Sequence, residues 1–181
     1  LAVIFYGNKN QLPVNFKQLE DLKEVLTDFK LKKYDFHKEE RMKLFKDFKA
    51  GKIDVVLKNS YGRTHEADIE SFLELNKIPY LGSSPRTTLI GTSKLLAKQI
   101  FRLHGLPVIE DIFVDKIIWS DSKKIVLAKI KKLINYPCII KDIGGTDSRG
   151  IYIARNEKEC IKILSRAINE FQGMILEKYI T

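Results

Sequence analysis

Three short apolar runs, Leu1 to Tyr6, Ile53 to Leu57 and Ile78 to Leu81, limit what this chain can fold into. Each is too short for a core helix and is followed by residues that end it: Gly7 after the first, and the turn from Gly82 to Pro85 after the third. They read as buried strands. Between them the apolar residues change period. Phe16, Leu19, Leu22, Val25, Leu26 and Phe29 recur at three- and four-residue steps. Met42, Leu44, Phe45 and Phe48 repeat the pattern in a shorter helix closed by Gly51, and residues Glu66 to Leu75 give a third. Strands that alternate with helices predict a parallel, doubly wound α/β sheet.

After Pro85 the rhythm changes. Leu89, Leu95, Leu96, Ile100, Phe101 and Leu103 mark helical segments that stop at His104 and Gly105, so a domain joint is expected near residue 86. Val108 to Val114 then reads as a strand, Ser122 to Ile134 as an amphipathic helix, and Cys138 to Lys141 as a strand. A glycine-bearing loop leads into a strand from Ile151 to Ala154. Asn156 is placed to cap a helix running to Phe171, with Glu159 three residues on completing a capping box, and Met174 to Glu177 is the last strand. This half predicts a small α+β module, giving two domains at 1–86 and 87–181.

The 181 residues carry a net charge of +9, which suits an anionic partner. Many lysines, among them Lys123, Lys124, Lys129, Lys131 and Lys132, fall on polar helix faces where charge only solvates the surface. Aromatic residues are not interleaved with the lysines along one face, which argues against a nucleic-acid partner. No apolar run approaches the roughly 20 residues of a membrane span, and the apolar start is too short for a signal peptide. A cytoplasmic protein with no membrane partner is therefore expected. The two cysteines, Cys138 and Cys160, form no metal-ligand spacing, and no metal site is predicted. The start inside a strand pattern and the stop just after one read as a fragment of something longer.

The segment that points to chemistry is KDIGGTDSRG, Lys141 to Gly150. Gly144, Gly145 and Gly150 let a backbone approach a ligand, and Thr146 and Ser148 offer hydroxyl and N–H groups to phosphate oxygens. Lys141 adds a point charge at the end of a strand. A plain hairpin loop uses the same residue types. The segment is not a Walker loop, since GK[ST] is absent, and it lacks the GxGxxG order.

The phrases Gly82-Ser83-Ser84-Pro85, Ser93-Lys94, Gly105-Leu106-Pro107, the Lys141 loop and Glu177-Lys178-Tyr179-Ile180 follow one another in an order that resembles an ATP-grasp ligase of the D-alanine–D-alanine ligase-like family. GRTHEADIESFLE, Gly62 to Glu74, looks most like the divergent ligase-like branch. The resemblance implies a Rossmann-like (pre-ATP-grasp) parallel sheet followed by a small α+β ATP-grasp central domain. It implies that Lys94, Lys141, Gly145, Thr146, Ser148, Gly150, Glu177, Lys178, Tyr179 and Ile180 bind ATP. It further implies Mg²⁺, and peptide-bond formation through an acyl phosphate between small amino-acid or peptide substrates. The metal ligands and catalytic groups would belong to the family's third domain, leaving Glu66 as the one catalytic candidate here; its place in a helix's first turn also suits a purely structural role. A homodimer stays open.

The sequence also departs from that pattern. GNKNQLPVNF after the first strand lacks the family's acidic, serine-containing stretch, Ser60 and Tyr61 replace its histidine-glycine, Ser93 its aspartate and Asp142 its proline. Gly145, Thr146 and Asp147 stand where the family usually shows glutamate, glycine and serine, and the Asp147 carboxylate would repel phosphate unless it faces away, pairs with Arg149 or helps hold a metal. Another ATP-grasp amino-acid or peptide ligase, a nucleotide-binding pseudoenzyme and a basic nucleic-acid module are the alternatives.

Overall fold

The computed structural model of the chain describes residues 2–6, 20–36, 38–60, 65–145 and 150–180, with the backbone alone at 2–6, 38, 59–60 and 65–66. The chain divides into two compact units, Leu1–Leu89 and Ile90–Thr181.

The first unit is a four-stranded parallel sheet. Its strands are β1 (Ala2–Tyr6), β2 (Lys32–Asp35), β3 (Val56–Ser60) and β4 (Tyr80–Leu81), in the order β2-β1-β3-β4. Helix α1 (Lys38–Lys49) connects β2 to β3, and α2 (His65–Leu75) connects β3 to β4. The reversal of direction at β1 is the doubly wound arrangement expected from the alternating sequence pattern. One core serves both helices: Leu44 from α1 and Ile69 and Leu73 from α2 meet Tyr34, Val56 and Ile78. The Phe36 and Phe72 rings meet edge to face at 5.6 Å. Gly51, with φ of +67°, closes α1 as the sequence predicts.

Two boundaries differ from the sequence reading. Strand β2, with the sequence KKYD, is absent from that reading because only Tyr34 of its residues is buried, so it has no apolar run. The run expected at 53–57 pairs instead at Val56–Ser60; Ile53 is buried, but it precedes the ladder. Expected helical residues Phe16 and Leu19, and the loop GNKNQLPVNF, lie outside the described residues; residues 20–25 are helical.

Helix α3 (Pro85–Thr92) spans the division between the units, and α4 (Lys94–Leu103) follows it. Ser93 separates them and caps α4, its Oγ accepting the Leu96 N–H at 3.3 Å. The second unit then forms a four-stranded antiparallel sheet of β5 (Asp111–Val114), β6 (Cys138–Asp142), β7 (Ile151–Ala154) and β8 (Met174–Lys178), in the order β5-β8-β6-β7. Helices α5 (Lys116–Lys129) and α6 (Glu157–Glu170) cover one face. Helix α5 begins six residues before the expected Ser122, because Asp115 caps it by accepting the Ile118 N–H at 2.7 Å. Ser122 is instead a kink, with φ −131° and ψ 23°, and a π-helical turn continues from Ile130 to Ile134. The strand expected from Val108 starts at Asp111, the first residue with a ladder partner on β8.

The Asn156 cap of α6 forms as read, but the expected reciprocal contact of Glu159 goes to the residue before the cap. Asn156 Oδ1 accepts the Glu159 N–H at 2.9 Å, and Glu159 Oε2 accepts the Arg155 N–H at 2.8 Å. Period-two alternation then sorts the sheet into two faces. Ile112, Val114, Cys138, Ile140, Ala154, Met174 and Leu176 point into the helix-covered core, where they meet Trp119, Val126, Ile130, Leu164 and Ala167. Trp119 Nε1 donates to Ser165 Oγ at 3.3 Å and ties α5 to α6. Cys138 and Cys160 are free and buried in this core. No helix among the described residues is long and apolar enough to cross a membrane.

Candidate functional site on the charged face of the antiparallel sheet

The residues between the core positions face the other way. Asp111 on β5, Ile175 and Glu177 on β8, Ile139 and Lys141 on β6, and Ile151 and Ile153 on β7 form one surface, set by the ladder pairs Asp111↔Glu177, Ile139↔Glu177, Lys141↔Ile175 and Lys141↔Ile151. Ile151 and Ile153 remain 38% and 39% exposed.

Glu177 is the centre of the charges and is only 4% exposed. Its Oε2 accepts from Lys141 Nζ at 2.5 Å, and its Oε1 accepts from Lys98 Nζ. Burial alone would push this carboxyl upward; the hydrogen bonds and charges of Lys141 and Lys98 overcome that and hold it below its usual value. Lys98 also stands 3.0 Å from Asp111 Oδ1, which Arg102 reaches from the next turn of α4. Two carboxylates that are direct cross-strand neighbours repel each other, so cations between them are a requirement of the fold.

Lys94, in the first turn of α4, reaches the same loop by two contacts. Its N–H donates to the Ile143 carbonyl at 2.8 Å, and its ammonium to the Gly145 carbonyl. Gly150 closes the loop where β7 begins, with φ of +71°, its carbonyl accepting the Asp142 N–H at 2.8 Å. A Cβ there would lie 2.7 Å from the Asp142 Cβ, so only glycine fits. Asp142 is itself buried and Oδ1 accepts the Gly144 N–H at 3.3 Å.

Of the residues predicted from the sequence, the structure therefore joins Lys141 with Glu177 and Lys94 with Gly145. Lys178 turns to the opposite side from Glu177 and, with Tyr179, lines a cleft of about 380 Å³ formed with residues Lys131 to Pro137. The Tyr179 N–H donates to the Pro137 carbonyl at 3.4 Å, and Ile180 is exposed. Thr146, Asp147, Ser148 and Arg149 lie outside the described residues, as does the side chain of Glu66, whose backbone belongs to the first turn of α2. Sequence reasoning missed Lys98 and Asp111. The available signal was the spacing of Lys94, Lys98 and Arg102 at steps of four, which puts three cations on one side of α4.

A parallel doubly wound unit followed by an antiparallel sheet with one helix-covered and one lysine-bearing face is also the fold of solved D-alanine–D-alanine ligases. No family model matches the chain. Over 133 residues, 73% of this chain and 36% of the relative, it is 27% identical to the D-alanine–D-alanine ligase of Natranaerobius thermophilus. Over 137 residues, 75% of this chain and 38% of the relative, it is 31% identical to that of Borrelia turicatae. The crystal structure of the Bacillus anthracis D-alanine–D-alanine ligase superposes with a TM-score of 0.80 at 24% identity, covering 99% of this chain and 56% of that one. The same enzyme complexed with ATP gives 0.77 at 22% identity, covering 99% and 58%. The D-alanine–D-alanine ligase-like family of ATP-grasp proteins fits this chain. The chain spans little more than a third of the length of these curated relatives.

Proposed function

We propose that the full-length protein is an ATP-dependent carboxylate–amine ligase of the D-alanine–D-alanine ligase-like kind, and that the charged sheet face is its nucleotide site. The observation that carries this is the buried Glu177 held between Lys141 and Lys98, with Lys94 brought to the same loop by α4. The B. anthracis relative with this fold binds ATP. In the proposed reaction ATP phosphorylates a substrate carboxylate, and an amine attacks the acyl phosphate, releasing phosphate and forming an amide. The residues of this chain act by charge. Lys94 and Lys141 are cationic donors, and lysines so placed neutralise charge that moves between phosphate oxygens during transfer. Glu177 is an acceptor beside them for the exocyclic amine of adenine. The exposed Ile151 and Ile153 offer an apolar bed for a base.

Mg²⁺ belongs to the proposal as the counter-ion of the triphosphate. Among the described residues no three His, Cys, Asp or Glu side chains gather to hold a metal ion. A cytoplasmic location is likewise part of the proposal, as are Lys178, Tyr179 and Ile180 at the edge of the base site. The test is phosphate release from ATP by the full-length protein with D-alanine and with other amino-acid pairs. Release that depends on an amino acid supports a ligase; ATP binding with no release for any pair makes the protein a nucleotide-binding pseudoenzyme.

A further inference from the structure

Lys98 belongs to none of the motifs read from the sequence, yet it makes the most connected contact on the charged face. It lies one turn after Lys94 on α4, touches Glu177 Oε1, and stands 3.0 Å from Asp111 Oδ1. Its side chain is 12% exposed, against 25% for Lys141 on the other oxygen of Glu177. Two carboxylates from adjacent strands hold Lys98 in place, whereas Lys141 contacts only one of them. The two lysines on Glu177 are therefore unequal. Lys141 is the one that is able to leave.

We infer that Lys98 is a positioning residue of the nucleotide site: it fixes Oε1 of Glu177 and keeps that carboxylate anionic, so that Lys141 is free to exchange Oε2 for a phosphate. The inference rests on the nucleotide-site reading and adds the residue that lets the site open. When Lys141 turns to a phosphate, Glu177 still has a cation at Oε1, and no proton is required. Without Lys98 the departure of Lys141 would leave a buried carboxylate opposite Asp111, with Arg102 reaching only Asp111. Glu177 would then take a proton from solvent, and nucleotide binding would become coupled to proton uptake.

The experiment is ATP calorimetry at about pH 6 and about pH 8, in buffers of different ionisation enthalpy, joined to a carbon-13 titration of the Glu177 carboxyl. It uses the full-length protein and its Lys98→Met, Lys98→Gln and Lys98→Arg variants. Lys98→Met is expected to weaken ATP about tenfold or more at the higher pH, where a one-unit pKa change corresponds to that factor. It should recover part of the loss at the lower pH, take up more protons with ATP at about pH 6 than the wild-type protein does, and shift the Glu177 titration upward. Arginine should restore wild-type behaviour and glutamine should not. Wild-type affinity without proton uptake in Lys98→Met overturns the inference, as does a glutamine variant that performs like arginine. If Lys98→Met does not fold, the arginine and glutamine pair decides by the same readouts. If the wild-type protein binds no ATP, the nucleotide-site reading fails, while the carboxyl titration still decides whether Lys98 holds Glu177 ionised.

Discussion

Removing Lys58 tests how the first unit tolerates charge in its core. Glu70 on α2 is fully buried, and its Oε1 accepts from Lys58 Nζ on β3 at 2.5 Å, while its Oε2 has no hydrogen-bond partner among the described residues. The Lys58 side chain is itself only 13% exposed. Lys58→Met keeps the volume but leaves a carboxylate in the core without its cation. Breaking a buried pair in this way costs about 3–5 kcal/mol, because the remaining charge is uncompensated. Replacing both partners with apolar residues of similar size, Lys58→Met with Glu70→Met, is instead close to neutral or stabilising by about 1–4 kcal/mol, and it also removes the orphaned oxygen. In urea, with a slope of about 2 kcal/mol per molar, a loss of about 4 kcal/mol lowers the midpoint of the first unit by about 2 M. Urea unfolding followed by circular dichroism, with an intrinsic probe for each unit, measures this. A single variant that costs under about 1 kcal/mol, or a double variant as damaged as the single, refutes the reasoning.

Two further outcomes follow from the second unit. Gly150→Ala must adopt φ of +71° and place a Cβ 2.7 Å from the Asp142 Cβ; the backbone costs about 1–2 kcal/mol and the overlap about 1–3 kcal/mol more, and a urea midpoint equal to wild type would contradict the loop geometry. Glu177 has a folded pKa below its ordinary value of 4.5, so its contribution to stability is present above that value and is lost as pH falls through the lower folded value. Glu177→Gln should therefore flatten the acid limb of a stability–pH curve below about pH 4.5, and a variant curve parallel to wild type there would be the contrary result.

What the sequence made legible was local. The cap at Asn156 and Glu159 lies within four residues, and the apolar runs of β1 and β6 carry their own period. Strand β2 was illegible because its lysines and aspartate hide a strand whose pairing comes from β1, a partner far away in the chain. At the site, Lys141 was visible as a charge at a strand end before a glycine-bearing loop, whereas Glu177 was visible only through a family resemblance. Lys98 looked like every other helical lysine until the fold set it against a carboxylate 79 residues away. Ser122 read as a helix start because polar residues cluster there, but Asp115 supplies the cap, and a helix that begins earlier runs through Ser122 with a kink. The overlap that makes Gly150 necessary also depends on contacts with Asp142 and Phe171 that no spacing reveals.

The nucleotide site proposed on the charged face requires ATP to bind at Lys141. Calorimetric titration of ATP into the full-length protein and its Lys141→Ala variant measures this, because removing a charge-assisted contact worth roughly 1.5–3 kcal/mol weakens binding about ten- to a hundredfold. The predicted result is that loss, with the variant still folded. An affinity for ATP that is the same in both proteins would place the nucleotide elsewhere and contradict the site.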